Sequence, residues 1–197
     1  MSEPAPMAKL LFITHPEVII DPSIAVEDWG LSTTGRERTK HFAESDAAQN
    51  IGTIWSSTEK KALEAAAILG ARRHLDVKTD PMLGENDRSA TGFLPPEEFE
   101  RTADAFFAQP TISVRGWERA IDAQHRILAA VERIRMEEGT GDIAVIAHGA
   151  VGTLLLCRLR GVPIARVHDQ PFQGHFWSAT LPDMRILHGW RPIAEKT

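Results

Sequence analysis

Two apolar runs in this chain each stop at a histidine. The first, Lys9-Leu-Leu-Phe-Ile-Thr, ends at His15; the second, Ile143-Ala-Val-Ile-Ala, ends at His148 and is followed at once by Gly149. Their length and β-branched content are those of core strands. As neighbours in a parallel sheet, the two strands would bring both imidazoles into the crevice beyond the strand ends, where open α/β sheets bind ligands. Imidazole titrates near neutral pH and acts as a nucleophile or a proton carrier. A facing pair therefore points to catalysis.

The rest of the chain alternates in the way such a sheet requires. An irregular stretch over residues 16–32 follows the first strand. Thr34 and Glu37 match a capping box, which predicts a helix over residues 34–47. A short strand is expected at 51–55, and Ser56 with Glu59 predicts a second capped helix running to Gly70. Another short strand is expected at 75–78. Residues 81–96 read as a long polar loop, a length that in a compact domain usually serves function. Pro96, Glu97 and Glu98 look like a helical first turn with acids at its positive end. A helix over 117–136, ended by Gly139 to Gly141, precedes the second histidine strand. A helix over 150–159 follows it, and a hairpin over 173–190 turns at Pro182-Asp183. The expected fold is a three-layer α/β/α sandwich formed by one domain, 1–197, with a mainly parallel sheet and an antiparallel C-terminal strand or hairpin.

Composition excludes several classes of function. The net charge is −5, from 22 basic and 27 acidic residues, so a nucleic-acid or acidic-membrane surface is not expected. The single cysteine, Cys157, lies in an apolar stretch and reads as core. The first seven residues have neither a basic nor an apolar segment, and the apolar run 150–156 is too short to span a bilayer. The expected location is the cytoplasm.

Five places carry the candidate chemistry. His15 and His148 are the facing pair. Each has a plainer reading as a strand-end histidine bonded to backbone. Gly149 lets a ligand approach the backbone, and the helix after it directs N–H groups toward the same spot, so together they describe an anion site. Glu85, in the long loop beside Asp87 and Arg88, could fold over the strand ends. A desolvated glutamate there has a raised pKa and can protonate a leaving group. Lys61, in the first turns of the second helix, could place a charge on a phosphate, although an exposed helical lysine is the plainer reading. Trp29, Trp117 and His175 read as core before pocket. A metal site built from His15, Glu17, Glu85 and His148 has acceptable ligand types but no paired spacing such as His-x-x-x-His. No metal and no cofactor is expected.

The pattern resembles the histidine phosphatase, or phosphoglycerate-mutase-like, superfamily. Members begin with a strand ending in Arg-His-Gly, here Thr14-His15-Pro16, often followed by Glu, here Glu17. A Leu-Thr-x-x-Gly helix start corresponds to Leu31-Ser-Thr-Thr-Gly35. A Ser-Ser-Pro-Leu-x-Arg-Ala-x-Gln-Thr-Ala segment corresponds to Ser56-Ser-Thr-Glu-Lys-Lys61-Ala-Leu-Glu-Ala-Ala66. A Leu-x-Glu element falls at Leu83-Gly-Glu85, and Val-x-His-Gly-Gly falls at Ala147-His148-Gly149-Ala150. The resemblance implies that His15 attacks phosphorus, that Glu85 protonates the leaving oxygen, and that His148 holds phosphoryl oxygens. Thr14, Lys61 and Gly149 would be the other phosphate-binding positions.

Thr14 and Lys61 replace the two motif arginines, and Pro16 replaces glycine. A hydroxyl and an ammonium lack the bidentate fork of guanidinium. Arg88 and Arg115 are the nearest candidates for a compensating cation. The expected activity is metal-independent hydrolysis of a small phosphomonoester. The alternatives are an inactive relative that binds an anion or phospholigand, a mutase of the same chemistry, and a metal-dependent hydrolase. A small phosphorylated substrate is the one partner implied; oligomeric state is not legible.

Overall fold

A computed structural model describes residues 7–137 and 141–195. Six strands form one sheet: β1 (Lys9–Thr14), β2 (Ile51–Ser56), β3 (Val77–Thr79), β4 (Asp142–Ala147), β5 (His175–Thr180) and β6 (Ile186–Pro192), in the order β3-β2-β4-β1-β5-β6. β1 and β4 are parallel neighbours, with Thr14 opposite Ala147. β2 and β3 continue the parallel part, whereas β5 runs antiparallel to β1 and β6 antiparallel to β5. The expected sheet and its C-terminal antiparallel pair are both present.

Side-chain alternation along β1 explains the three layers. Leu11 and Ile13 face one side, where they pack with helices α1 (Thr33–Glu44) and α2 (Lys60–Arg73) through Phe42, Ala62 and Leu69. Leu10 and Phe12 face the other side. There they pack with α3 (Pro96–Ala108), α4 (Ala120–Glu137) and α5 (Gly149–Arg160) through Phe106, Ile127 and Leu154. Because both faces are covered, the two histidine strands have no polar face. Cys157 is buried in the second layer, as its apolar setting predicts.

Several boundaries differ from the sequence expectation, each for a local reason. α1 starts one residue before Thr34 because Ser32 caps it, its Oγ accepting from Gly35 N at 3.1 Å; it stops at Glu44, and a separate 3-10 turn takes Asp46–Ala48. α2 starts at Lys60, beyond Ser56, whose hydroxyl instead donates to Ser57 O. β3 begins at Val77, two residues after the expected start. α4 begins at Ala120, past Trp117, whose indole is held outside the helix by Thr91 Oγ1. α5 gains Gly149 and Arg160. Gly139, an expected stop for α4, lies outside the described residues.

Gly152 on α5 illustrates how tightly the second layer closes on the sheet. A Cβ there would lie 2.6 Å from the Phe12 ring and 2.8 Å from Trp190. Phe12 itself is stacked on Trp177 with ring centres 5.1 Å apart, so neither ring can retreat without disturbing β5. Gly152→Ala is expected to lower stability by about 1–3 kcal/mol through overpacking, despite the better helix propensity of alanine. Urea unfolding of the two proteins checks this.

Candidate active site

The ends of β1, β2 and β4 converge on one spot, held in register by backbone bonds that continue past the strands. His15 N donates to Ala147 O at 3.1 Å, and Ser57 N donates to Ile146 O at 2.9 Å. This places the two imidazoles edge to face, with ring centres 5.2 Å apart. The juxtaposition expected from the two strand ends is what the fold produces.

His15 forms part of the wall of a cavity of about 400 Å³, together with Lys61, Glu85, Arg88, Gly149 and Gln170. Its Nδ1 lies 2.9 Å from Pro16 O. A carbonyl only accepts, so Nδ1 carries the proton and Nε2 keeps its lone pair. Burial, with the Lys61 ammonium nearby, lowers the His15 pKa to about 4. The ring is therefore neutral at physiological pH with a defined tautomer.

His148 is fully buried and is not on the cavity wall; it backs His15 from within. Its Nε2 lies 2.8 Å from Ser57 Oγ and 3.3 Å from Glu59 Oε1, while its Nδ1 has no hydrogen-bond partner. Burial holds its pKa well below the ordinary value, so this ring too is neutral. Burial pushes the Glu59 carboxyl up, but the Lys61 ammonium and the Glu85 N–H oppose it and hold the group below the ordinary carboxylate value. With His148 neutral, Lys61 is the partner that supplies the charge.

Lys61 is almost fully buried, not exposed like Lys60, and its Nζ donates to Val26 O at 2.8 Å and to the Glu59 carboxylate. Its charge is therefore already matched by an acid of the chain. The N–H groups at the start of α5 are engaged as well. Ala150 N and Val151 N donate to the two Glu85 oxygens at 3.2 and 3.1 Å. The expected open anion site behind Gly149 is filled by the chain's own carboxyl group, which is what a helix N-terminus attracts. Burial nevertheless dominates, and the Glu85 pKa is raised. Glu85 N in turn donates to Glu59 Oε1 at 2.8 Å, and Arg126 holds the loop through the carbonyls of Met82, Gly84 and Glu85.

Thr14 is buried behind the cavity wall, and its hydroxyl donates to Gln170 Oε1 at 2.7 Å. Gln170, which sequence reasoning missed, carries this position's polarity into the cavity: its Nε2 would lie 2.4 Å from a Cβ on residue 149, so Gly149 is required for its approach. Asp169 fixes the segment, its Oδ1 accepting from Gln170 N and Thr153 Oγ1 at 2.8 Å each. Only the spatial contact identifies Gln170; no spacing in the chain marks it.

The two candidate cations separate clearly. Arg115 pairs with Glu98 away from the cavity. Arg88 lines the cavity, with its guanidinium over Phe99 and Trp117 at 5.2 and 5.6 Å, and it forms no ion pair among the described residues. The third cation in the wall, Arg166, is matched by Glu100, Asp104 and Asp169. Glu17, a member of the imagined metal set, is bound by Arg38 at 2.8 and 2.9 Å. Among the described residues no group of three or more His, Cys, Asp or Glu is arranged to hold a metal ion. Trp29 and Trp117 are buried as expected, yet their rings also face the cavity. His175 is buried in β5.

A family model described as histidine phosphatase superfamily (branch 1) matches residues 23–180. The chain belongs to this superfamily. One curated relative, phosphoserine phosphatase 1 of Hydrogenobacter thermophilus, is 23% identical over 180 residues, covering 87% of this chain and 81% of its own. Among solved structures, Bacillus stearothermophilus YhfR is 21% identical with a TM-score of 0.77, covering 92% of this chain and 95% of its own. A mycobacterial glucosyl-3-phosphoglycerate phosphatase in complex with inorganic phosphate is 22% identical with a TM-score of 0.74, covering 93% and 94%. The superfamily, the fold and the expected likeness to phosphoglycerate mutases thus agree. Among the described residues, no helix is long and apolar enough to cross a membrane.

Proposed function

We propose that the protein is a metal-independent phosphatase that hydrolyses a phosphomonoester through a phosphohistidine on His15. The observation that carries this reading is the state of His15: neutral at physiological pH, protonated on Nδ1 by its bond to Pro16 O, and on the wall of a cavity beside a carboxyl group of raised pKa. The Nε2 lone pair attacks phosphorus, and the bond from phosphorus to the leaving oxygen breaks. The Glu85 carboxyl gives its proton to that oxygen. Water then attacks the phosphohistidine, Glu85 takes a proton from the water, and phosphate leaves with Nε2 free again. Phosphoryl transfer of this kind depends on positioning and on positive charge around the equatorial oxygens.

In this reading Arg88 supplies that charge, Gln170 Nε2 donates a hydrogen bond, and His148 positions His15 from behind. Arg88→Met keeps the apolar stack on Phe99 and Trp117 but removes the guanidinium. It is expected to lower kcat/KM for p-nitrophenyl phosphate by about 10²-fold, as for loss of one donor to a developing charge. Arg88→Lys should recover only part, because an ammonium neither forks nor stacks. The same scarcity of free cations favours hydrolysis over mutase chemistry, which must hold the phosphoryl group against water.

A second reading has a specific observation behind it. Lys61 and the start of α5 are both occupied by the chain's own carboxylates, which weakens a phosphate site and favours a protein that binds a phospholigand without turning it over. Phosphate release from a panel of phosphomonoesters, measured with a chelator present, separates the two. Release that persists with chelator supports the phosphatase. Phosphate-dependent thermal stabilisation without release on any ester supports the binding protein. Release abolished by chelator points to metal-dependent hydrolysis.

A further inference from the structure

The cavity is larger than a phosphoryl group needs, and most of what lines the remainder is apolar, with Asn86 and Gln173 as uncharged polar members. Away from His15 its walls are Val26, Trp29, Phe93, Leu94, Phe99 and Phe106. Trp29 and Phe93 form one side, with ring centres 5.9 Å apart. Phe99 forms another, with Trp117 tilted against it at 6.0 Å. The apolar lining reaches the surface at Ile20, which is 60% exposed and belongs to the mouth of the cavity. An isoleucine in water at a pocket mouth is consistent with apolar contact continuing outward.

The charged groups in the wall are almost all matched within the chain. Glu85 is bound to backbone N–H groups, Glu100 and Asp169 pair with Arg166, and Lys61 pairs with Glu59. Arg88 remains, and the phosphoryl group claims it. A leaving group bearing an ammonium and a carboxylate would find no unmatched partner for either charge, and buried unpaired charges are costly. A polyol would leave most of its hydroxyls facing rings, since Asn86, Gln170 and Gln173 are the uncharged amide side chains of the wall.

Building on the phosphatase reading, we infer that the ligand of this site is a phosphomonoester whose alcohol part is uncharged and largely apolar. This differs from the substrate named by the curated relative.

The test compares hexyl phosphate, glycerol 3-phosphate and serine phosphate, all esters of primary alcohols. Each methylene buried against these walls is worth up to about fourfold, so kcat/KM for hexyl phosphate is expected to exceed that for the other two by about 10²-fold. Phe93→Ser is expected to reduce this ratio, a readout that cancels any loss of folded protein. Calorimetry with hexylphosphonate and 2-aminoethylphosphonate, which cannot be hydrolysed, is run in parallel. Serine or glycerol phosphate turned over as well as hexyl phosphate would overturn the ligand class and leave the phosphatase standing. No release from any ester, with hexylphosphonate bound more tightly than the amino analogue, would keep the ligand class and overturn the phosphatase. Equal affinity for the two phosphonates, or none for either, would overturn the inference.

Discussion

His15→Ala is expected to abolish phosphate release, by on the order of 10⁴-fold or more, because it removes the atom that accepts the phosphoryl group. The loss is not of binding. Arg88, Lys61 and Gln170 stay in the cavity wall, so the variant should still bind inorganic phosphate, with affinity near that of the unaltered protein. The fold should survive, since β1 remains paired with both β4 and β5 and the backbone bond from residue 15 to Ala147 O needs no side chain. Phosphate release, circular dichroism and calorimetric titration with phosphate, run on the same preparations, check the three statements together. Retained turnover in a folded variant would remove His15 from the mechanism.

Glu85→Gln carries the second large effect, and its size depends on the leaving group. An alkoxide needs a proton to leave, so alkyl phosphates should lose about 10²–10⁴-fold in kcat/KM. Nitrophenolate leaves without help, so p-nitrophenyl phosphate should still phosphorylate His15. The second step then stalls, because glutamine cannot take a proton from water, and rapid mixing should show a burst of nitrophenolate followed by slow turnover. The pH profile follows from the same two groups. His15 must be neutral, so kcat/KM rises as pH increases through about 4. Glu85 must be protonated, so activity on alkyl phosphates falls as pH increases through its raised pKa. The optimum therefore lies above about 4 and below the raised pKa of Glu85, and in Glu85→Gln the falling limb disappears. An unchanged falling limb in that variant would assign it to another group.

What the sequence made legible was what chain order dictates. Two apolar runs ending in histidine predict a parallel pair with facing rings, because uniformly apolar strands need cover on both faces, and Thr14 opposite Ala147 is the register that results. The loop bearing Glu85 was legible as a loop and by its resemblance to the superfamily's acid. Its anchoring on Ala150 and Val151 was not, since nothing in the chain states that a helix start 65 residues later will be capped by it. Gln170 was invisible for the same reason: its link to Thr14 spans 156 residues. Arg88 and Arg115 are indistinguishable by position, and only the fold separates them, with Arg88 in the cavity wall over Phe99 and Trp117 and Arg115 paired with Glu98 away from it. Lys61 shows how a sound motif match can mislead about charge, because its match to an arginine position says nothing of the Glu59 carboxylate beside it. The helix starts were misread where two hydroxyl residues competed to cap; Ser32 prevails over Thr34 because its side chain reaches Gly35 N.

The apolar lining was hidden differently. Trp29, Phe93, Phe99 and Trp117 are not grouped by any pattern in the chain; Trp29 and Trp117 read as core, and Phe93 falls in the stretch 81–96 that reads as a polar loop. Trp29 and Trp117 are in fact buried. Their second role arises because the cavity is bounded by core residues, so one ring serves packing on one side and the ligand space on the other.

The central claim is that His15 is the covalent phosphoryl carrier. The most direct measurement is to mix the protein with p-nitrophenyl phosphate, quench in alkali within milliseconds, and map the modification by mass spectrometry, with Glu85→Gln included to let the adduct accumulate. The account predicts an acid-labile, alkali-stable phosphoryl group on His15, more abundant in Glu85→Gln than in the unaltered protein. Phosphate released steadily with no such adduct, or an adduct on any other residue, would contradict it.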